Sequence, residues 1–211
     1  MILVAVVGGS GAGKTSVATT IAERFGDRCG ILSLDDYYRD LPEGVDPRDI
    51  NFDSPQAFDF DLFKEHLIML KKGETVMVPS YNMITFRREP SKEKPFHPRK
   101  LIVVEGILVL HREDLRDLFD LSIYIDAPAD ERLIRRIERD TRERGRSLES
   151  ILNQYRRYVM PAFRAFVEPQ KYYCDIVLPW GVENRAGLQM ILNAIENMLR
   201  NEERKGDDHL V

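Results

Sequence analysis

The sequence predicts an α/β fold: an open, mostly parallel sheet with helices on both faces. Three observations carry this. Ile2 to Val7 is an unbroken, β-branched apolar run ended by Gly8 and Gly9, as in a strand buried on both faces of a parallel sheet. Strand-length apolar runs then alternate with stretches of helical spacing, and no internal repeat is visible. At 211 residues, 43% of them hydrophobic, one domain spanning the chain can bury a sizeable core.

The elements follow in order. Val17, Ile21 and Phe25 recur at helical spacing, and Gly26 and Gly30 bracket the return to a second strand, Ile31 to Leu34. Strand, helix, strand implies a right-handed parallel crossover. Asp35 to Pro55 is polar and aperiodic, a long loop of the kind that carries function. Phe63, Leu67 and Leu70 mark a helix that stops at Gly73 after the basic pair Lys71 and Lys72. Thr75 to Tyr81 and Ile84 to Arg88 read as the arms of an antiparallel hairpin, an insertion over about 74–98, and Glu89 to Lys100 reads as a surface connection. Leu101 to Val104 and Leu121 to Ile125 are further buried strands, closed by Glu105 and Asp126. Pro128 can open a helix that Gly145 ends, Ser147 can cap the next, and Pro161 is expected to bend or stop it. Ile176 to Leu178 is the last strand. Leu188, Ile191, Ile195 and Leu199 mark a closing helix, with a frayed, charged tail expected from Arg200 onward.

A formal net charge of -4 offers no global attraction to nucleic acid or to an acidic membrane surface. The Met1 to Val7 run is too short for a signal-peptide core, and no run approaches the roughly 20 apolar residues a spanning helix needs. Cys29 and Cys174 are far apart and form no metal-ligand spacing, which fits free thiols in a reducing cytoplasm.

Gly8-Gly9-Ser10-Gly11-Ala12-Gly13-Lys14-Thr15 matches G-x-x-x-x-G-K-[ST], between a strand and a helix as that pattern requires, and Ser16 continues it into the helix. Glycines let successive N–H groups face phosphate oxygens, the helix terminus adds its dipole, and Lys14 adds a point charge. Thr15 offers a hydroxyl to Mg2+. The spacing therefore implies a nucleoside triphosphate, ATP or GTP, as ligand.

Ligands of such sheets bind at the carboxyl ends of the strands, where Asp35, Asp36 and Glu105 are expected to converge. A carboxylate there can take the proton of an attacking hydroxyl or hold the metal, and phosphoryl transfer needs both. Arg132, Arg135, Arg136 and Arg139 share helical spacing, with Arg142, Arg144 and Arg146 beyond them. Planar guanidinium forks suit the oxygens of a phosphoryl group in flight, so the stretch 128–147 is expected to act as a lid.

These residues resemble the uridine kinase family, the uridine-cytidine kinases, over nearly the whole chain. Besides the phosphate loop, Asp35-Asp36-Tyr37-Tyr38 is similar to the family's Asp-x-[Phe/Tyr]-Tyr motif, and Asn51-Phe52-Asp53-Ser54-Pro55 to its N-F-D-x-P motif. The resemblance implies Asp35 as catalytic base, Asp53 on the ribose hydroxyls, and Glu105 with Thr15 and Asp35 about magnesium. It further implies Lys14, Arg139 and Arg144 as catalytic cations, and Tyr38, Tyr81, Arg136, Arg146 and Gln154 around a nucleoside. Self-association is implied too. The chain departs from the family at Phe86, where the family carries a base-contacting histidine. A phenyl ring can stack on a base but cannot hydrogen-bond its edge; equally, Phe86 can simply pack the hairpin on the core.

Three functions stay open on the sequence. The first is 5'-phosphorylation of a pyrimidine nucleoside. The second is phosphorylation of another hydroxyl acceptor, a sugar phosphate, pantothenate or glycerate. The third is a non-catalytic nucleotide-dependent regulator, against which Asp35 and the arginines count.

Overall fold

The computed structural model describes residues 1–41 and 43–208. Strands β1 (Ile2–Gly8), β2 (Cys29–Ser33), β7 (Leu101–Gly106), β8 (Leu121–Asp126) and β9 (Ile176–Pro179) form one sheet in the order β2-β7-β1-β8-β9. Every pairing in it is parallel. The central strand β1 is buried along its whole length, and its side chains alternate between two cores. Leu3, Ala5 and Val7 join Leu32, Leu34 and the Phe63, Leu67 and Leu70 face of α2 (Phe60–Lys71). Ile2, Val4 and Val6 join Val17, Ile21 and Phe25 of α1 (Lys14–Phe25) and Leu188, Ile191, Ile195 and Leu199 of α7 (Arg185–Asp208). Each such side chain taken from water contributes about 1.5–3 kcal/mol. Helices thus cover both faces, which is the fold class the apolar runs predict.

Three expectations are corrected. The insertion does not form one hairpin: β3 (Val76–Val78) pairs antiparallel with β6 (Lys94–Phe96), inside the stretch expected as a plain connection. Only β4 (Tyr81–Asn82) and β5 (Arg87–Arg88) pair across the turn. Pro79 lacks the N–H a continuous ladder needs. The turn itself is built by Asn82, whose side-chain oxygen accepts from the N–H groups of Ile84 and Thr85 at 2.8 and 3.1 Å. It places Phe86 at φ 57°.

The second correction concerns Pro161. After α4 (Ala129–Arg144) and α5 (Leu148–Gln154), helical turns continue through α6 (Met160–Ala162) and on to Tyr173. The missing N–H of Pro161 is accommodated by π-helical turns at Tyr155–Val159 and Phe163–Val167 instead of a break. Third, the closing helix does not fray at Arg200 but runs to Asp208; the rest of that tail lies outside the described residues. Glu202 and Glu203 pair with the chain's amino terminus and Lys100 at 3.0 and 2.6 Å, holding that end of α7 to the sheet. A short helix, α3 (Glu113–Arg116), links β7 to β8. Cys29 and Cys174 are free thiols. Among the described residues no helix is long and apolar enough to cross a membrane.

Candidate active site

The loop 8–15 leaves the carboxyl end of β1 and turns into α1 through Gly13, at φ 95°. Its glycines are needed for close packing as well as for turning. A Cβ on Gly9 would stand 2.3 Å from a guanidinium nitrogen of Arg132, and one on Gly11 2.4 Å from the Arg132 carbonyl oxygen. Arg132 is itself buried, donates to the Ala127 carbonyl at 3.1 Å and lies 3.8 Å over the Phe163 ring. It cements α4 to the loop. Lys14 folds back to donate to the Gly9 carbonyl at 3.1 Å. Burial pushes its ammonium pKa down, against the attraction of Glu105 and Asp35.

Beside the loop a hydrogen-bonded chain joins three strand ends. The Asp35 N–H donates to the Ser33 hydroxyl at 3.3 Å, which donates to Glu105 Oε1 at 2.7 Å. Glu105 Oε2 accepts from Thr15 at 3.4 Å. Ser33 caps the turn that carries Asp35, so the serine both aims the aspartate and steadies the glutamate. Burial raises the Glu105 pKa, with Lys14 the chief opposing influence. Asp36, expected with Asp35 and Glu105, is not among the side chains lining the cavity. Burial first, then the charges of Asp35 and Glu105, raise its pKa to about 6. Successive residues of a turn point to different sides.

The cavity is bounded on one side by Ser10, Lys14, Thr15, Asp35 and Glu105, and on another by Arg136, Arg139, Arg144, Arg146 and Gln154. Tyr38, Phe52, Asp53, Met83, Phe86 and Ile107 complete it. Arg136 spans the two sides, donating to the Ser10 hydroxyl at 3.0 Å and to Gln154 Oε1 at 2.9 Å. Arg146 donates to the same Gln154 oxygen at 2.6 Å. Asp53 is buried, and burial raises its pKa while Arg136 opposes the shift. Burial lowers the pKa values of Arg144 and Arg146. A cavity with this many cations and carboxylates around apolar rings suits a ligand that is anionic at one end and flat at the other.

Phe86 stacks on Phe52 with centroids 5.1 Å apart, and both rings line the cavity. One expected position, Tyr81, lies elsewhere. Tyr81 packs behind Tyr38 at 5.2 Å and does not line the cavity; its hydroxyl is buried without a hydrogen-bond partner. Ser16 sits exposed on the first turn of α1.

The model of the phosphoribulokinase / uridine kinase family matches residues 3–186. The chain belongs to that family. It is 43% identical over 204 residues to a uridine kinase of Geobacillus sp. (strain WCH70), covering 94% of this chain and 95% of that one. With a uridine kinase of Pasteurella multocida it shares 41% over 206 residues, covering 94% of each. Among solved structures, phosphoribulokinase from Rhodobacter spheroides superposes with a TM-score of 0.63 at 17% identity, covering 84% of this chain and 69% of that one. D-glycerate 3-kinase from Cryptococcus neoformans gives 0.56 at 16%, covering 78% of each. At such identities the two structures speak for the fold alone. This member of the phosphoribulokinase / uridine kinase family is an ATP-dependent kinase, and the fold it shares with kinases of unlike names leaves the acceptor to be argued from the cavity.

The donor set fits a hard cation. Thr15, Asp35 and Glu105 offer oxygen ligands only, and Glu105 is already tethered by Ser33. Among the described residues no cluster of three or more His, Cys, Asp or Glu could form a metal cage. Two carboxylates and a hydroxyl are a set from which Mg2+ can take one or two carboxylates, completing its shell with phosphate oxygens and water.

The residues that sequence reading missed are Ser33 and Met83. Ser33 lies two residues before the motif quoted for its aspartates, and its closeness to Glu105 exists only across the sheet. Met83 sits in an irregular turn that no periodicity marks.

Proposed function

We propose that this kinase transfers the terminal phosphoryl group of ATP, with Mg2+, to the 5'-hydroxyl of a pyrimidine nucleoside. The observation that carries the reading is that Asp35 and Asp53 line one cavity with the phosphate-loop residues Lys14 and Thr15, the arginines, and the rings of Phe52 and Phe86. A carboxylate beside the phosphate end can take the proton of an attacking alcohol. A second, deeper carboxylate suits a cis-diol, and two stacked rings suit a base face. The relatives named uridine kinase, near 40% identical along most of the chain, support the same acceptor.

In this reading the loop amides and Lys14 hold the β- and γ-phosphates. Thr15, Asp35 and Glu105 would hold magnesium, which when bound neutralises charge on the phosphate oxygens. Asp35 accepts the hydroxyl proton as the new oxygen–phosphorus bond forms, and the old bond to the β-phosphate oxygen breaks. Arg139 and Arg144 receive the charge on the moving group's equatorial oxygens. Arg136 and Arg146, gathered on Gln154, close the wall and exclude water, so the nucleoside hydroxyl reacts in place of solvent.

The test is ADP release with Mg-ATP and a panel of uridine, cytidine, purine nucleosides, ribulose 5-phosphate, pantothenate and glycerate. Stimulation by uridine or cytidine above all others is expected. Stimulation by a non-nucleoside alone, or by no member of the panel, overturns the acceptor.

A further inference from the structure

Helix α4 carries an unusual buried row. Arg132, Arg136 and Asp140, four residues apart, face inward, and Asp140 has no solvent exposure at all. A charged carboxylate so placed needs partners, since an isolated buried charge is strongly disfavoured. Its partners are the four arginines that line the cavity. Arg139 binds Asp140 Oδ1 directly, at 2.9 Å through Nε and 2.8 Å through Nη2. Arg144 stands 3.5 Å from the same oxygen, and Arg136 and Arg146 stand 3.6 Å from Oδ2. The Asp140 carbonyl accepts from the Arg146 N–H at 3.1 Å and from Gly145, so the chain reversal that brings Arg144 and Arg146 round also hangs on this residue.

The lengths divide the four. One arginine is hydrogen-bonded to Asp140, whereas the other three are held to it by charge alone, beyond the ~2.7–2.9 Å of a charged hydrogen bond. Asp140 Oδ2 and Arg136 Nε, both buried, lack a hydrogen-bond partner. Coulomb attraction falls slowly with distance while a hydrogen bond is directional, so Arg144 can turn toward a phosphoryl group beside Arg139 without losing its counter-ion, while Arg136 and Arg146 stay on Gln154.

We propose that Asp140 is the positioning residue for transfer: one buried carboxylate outside the cavity that gathers Arg136, Arg139, Arg144 and Arg146 and sets their approach to the moving phosphoryl group. The inference rests on the phosphoryl-transfer reading of the site, but not on which acceptor is used. Without Asp140, four like charges share one wall with no common counter-ion. They would turn toward water, and the cavity would lose its arrangement while keeping its nucleotide loop.

The test compares D140N and D140E with the wild type, with folded protein quantified by ATP titration and melting temperature recorded. D140N, nearly isosteric and neutral, is expected to lose roughly 100-fold in kcat, the scale of a lost transition-state contact, with KM for ATP within about threefold. D140E keeps the charge but displaces it, so its kcat should lie between the two, although the longer side chain fits a closed site no better. A packing role gives the opposite order, with D140N above D140E in both stability and turnover. The proposal is overturned by that order, or by a D140N kcat within about threefold of wild type. If D140N does not fold, D140E decides alone, and wild-type kcat in it overturns the proposal. Should no acceptor of the panel be turned over by the wild type, the acceptor reading fails by itself. Asp140 is then judged by how far Mg2+ and aluminium fluoride tighten ADP binding: a gain kept in full by D140N or D140E overturns it, and a lost gain supports it.

Discussion

Helices α1 and α4 both approach the phosphate loop, and they are built on opposite plans. α1 buries Val17, Ala18, Ile21 and Phe25 against the sheet, and Lys14, at its first position, is its one buried charge. α4 buries Arg132, Arg136 and Asp140 and leaves Ile134 52% exposed. The first helix is held by removing apolar surface from water, the second by ion pairs around a site meant for an anion. A helix facing a polyphosphate can turn its charges inward because the ligand and the loop dipoles are there to meet them. Charge periodicity therefore found the α4 helix but could not say which side was inside.

The contrast can be strained from either end. Ile21→Ala should cost about 2–5 kcal/mol of stability, as a large-to-small change in a closed core, while kcat of the folded fraction stays unchanged; chemical denaturation with parallel kinetics reads both. A cost under about 0.5 kcal/mol would mean that α1 is not anchored as described. Asp35→Asn should leave ATP affinity nearly intact and lower turnover by roughly 100-fold or more, the usual scale for a general base. Unchanged turnover would remove Asp35 from that role. Phe86→His should raise kcat/KM for uridine relative to cytidine several-fold, on the order of the 0.5–1.5 kcal/mol a hydrogen bond contributes net. A fixed ratio would make Phe86 a packing residue beside Phe52. Smallest of all, Ile134→Ala on the outer side of α4 should change stability by no more than about 0.5 kcal/mol, where the same change in α1 is severe. A larger loss would show that α4 has a second apolar contact.

The insertion shows where local pattern misleads. Alternating valines suggested one hairpin, yet Val76–Val78 finds its partner in Lys94–Phe96, past a turn that the Asn82 side chain organises. Strand pairing is decided by which edges meet, and a three-residue strand carries too little alternation to name its partner. Pro161 misled in a different way. Its ring forbids an ordinary helical bond, but neighbouring π turns absorb the loss because Val159, Ala162 and Val167 are buried on the core side and hold the helix in place.

What the sequence determined by itself was whatever depends on near neighbours in the chain. Apolar run length set β1, β7 and β8; the glycine spacing set the phosphate loop; and Gly145 set the end of α4, where it takes φ 62°. Asp35 and Glu105 were legible because strand ends in a parallel sheet must open on a common mouth. The tertiary structure alone decided that Ser33 bridges them, that Asp36 turns away, that Tyr81 stands behind Tyr38, and that four arginines share Asp140. Those facts depend on distances between residues remote in sequence. Only packing brings such groups within the few ångströms over which hydrogen bonds and buried charges act.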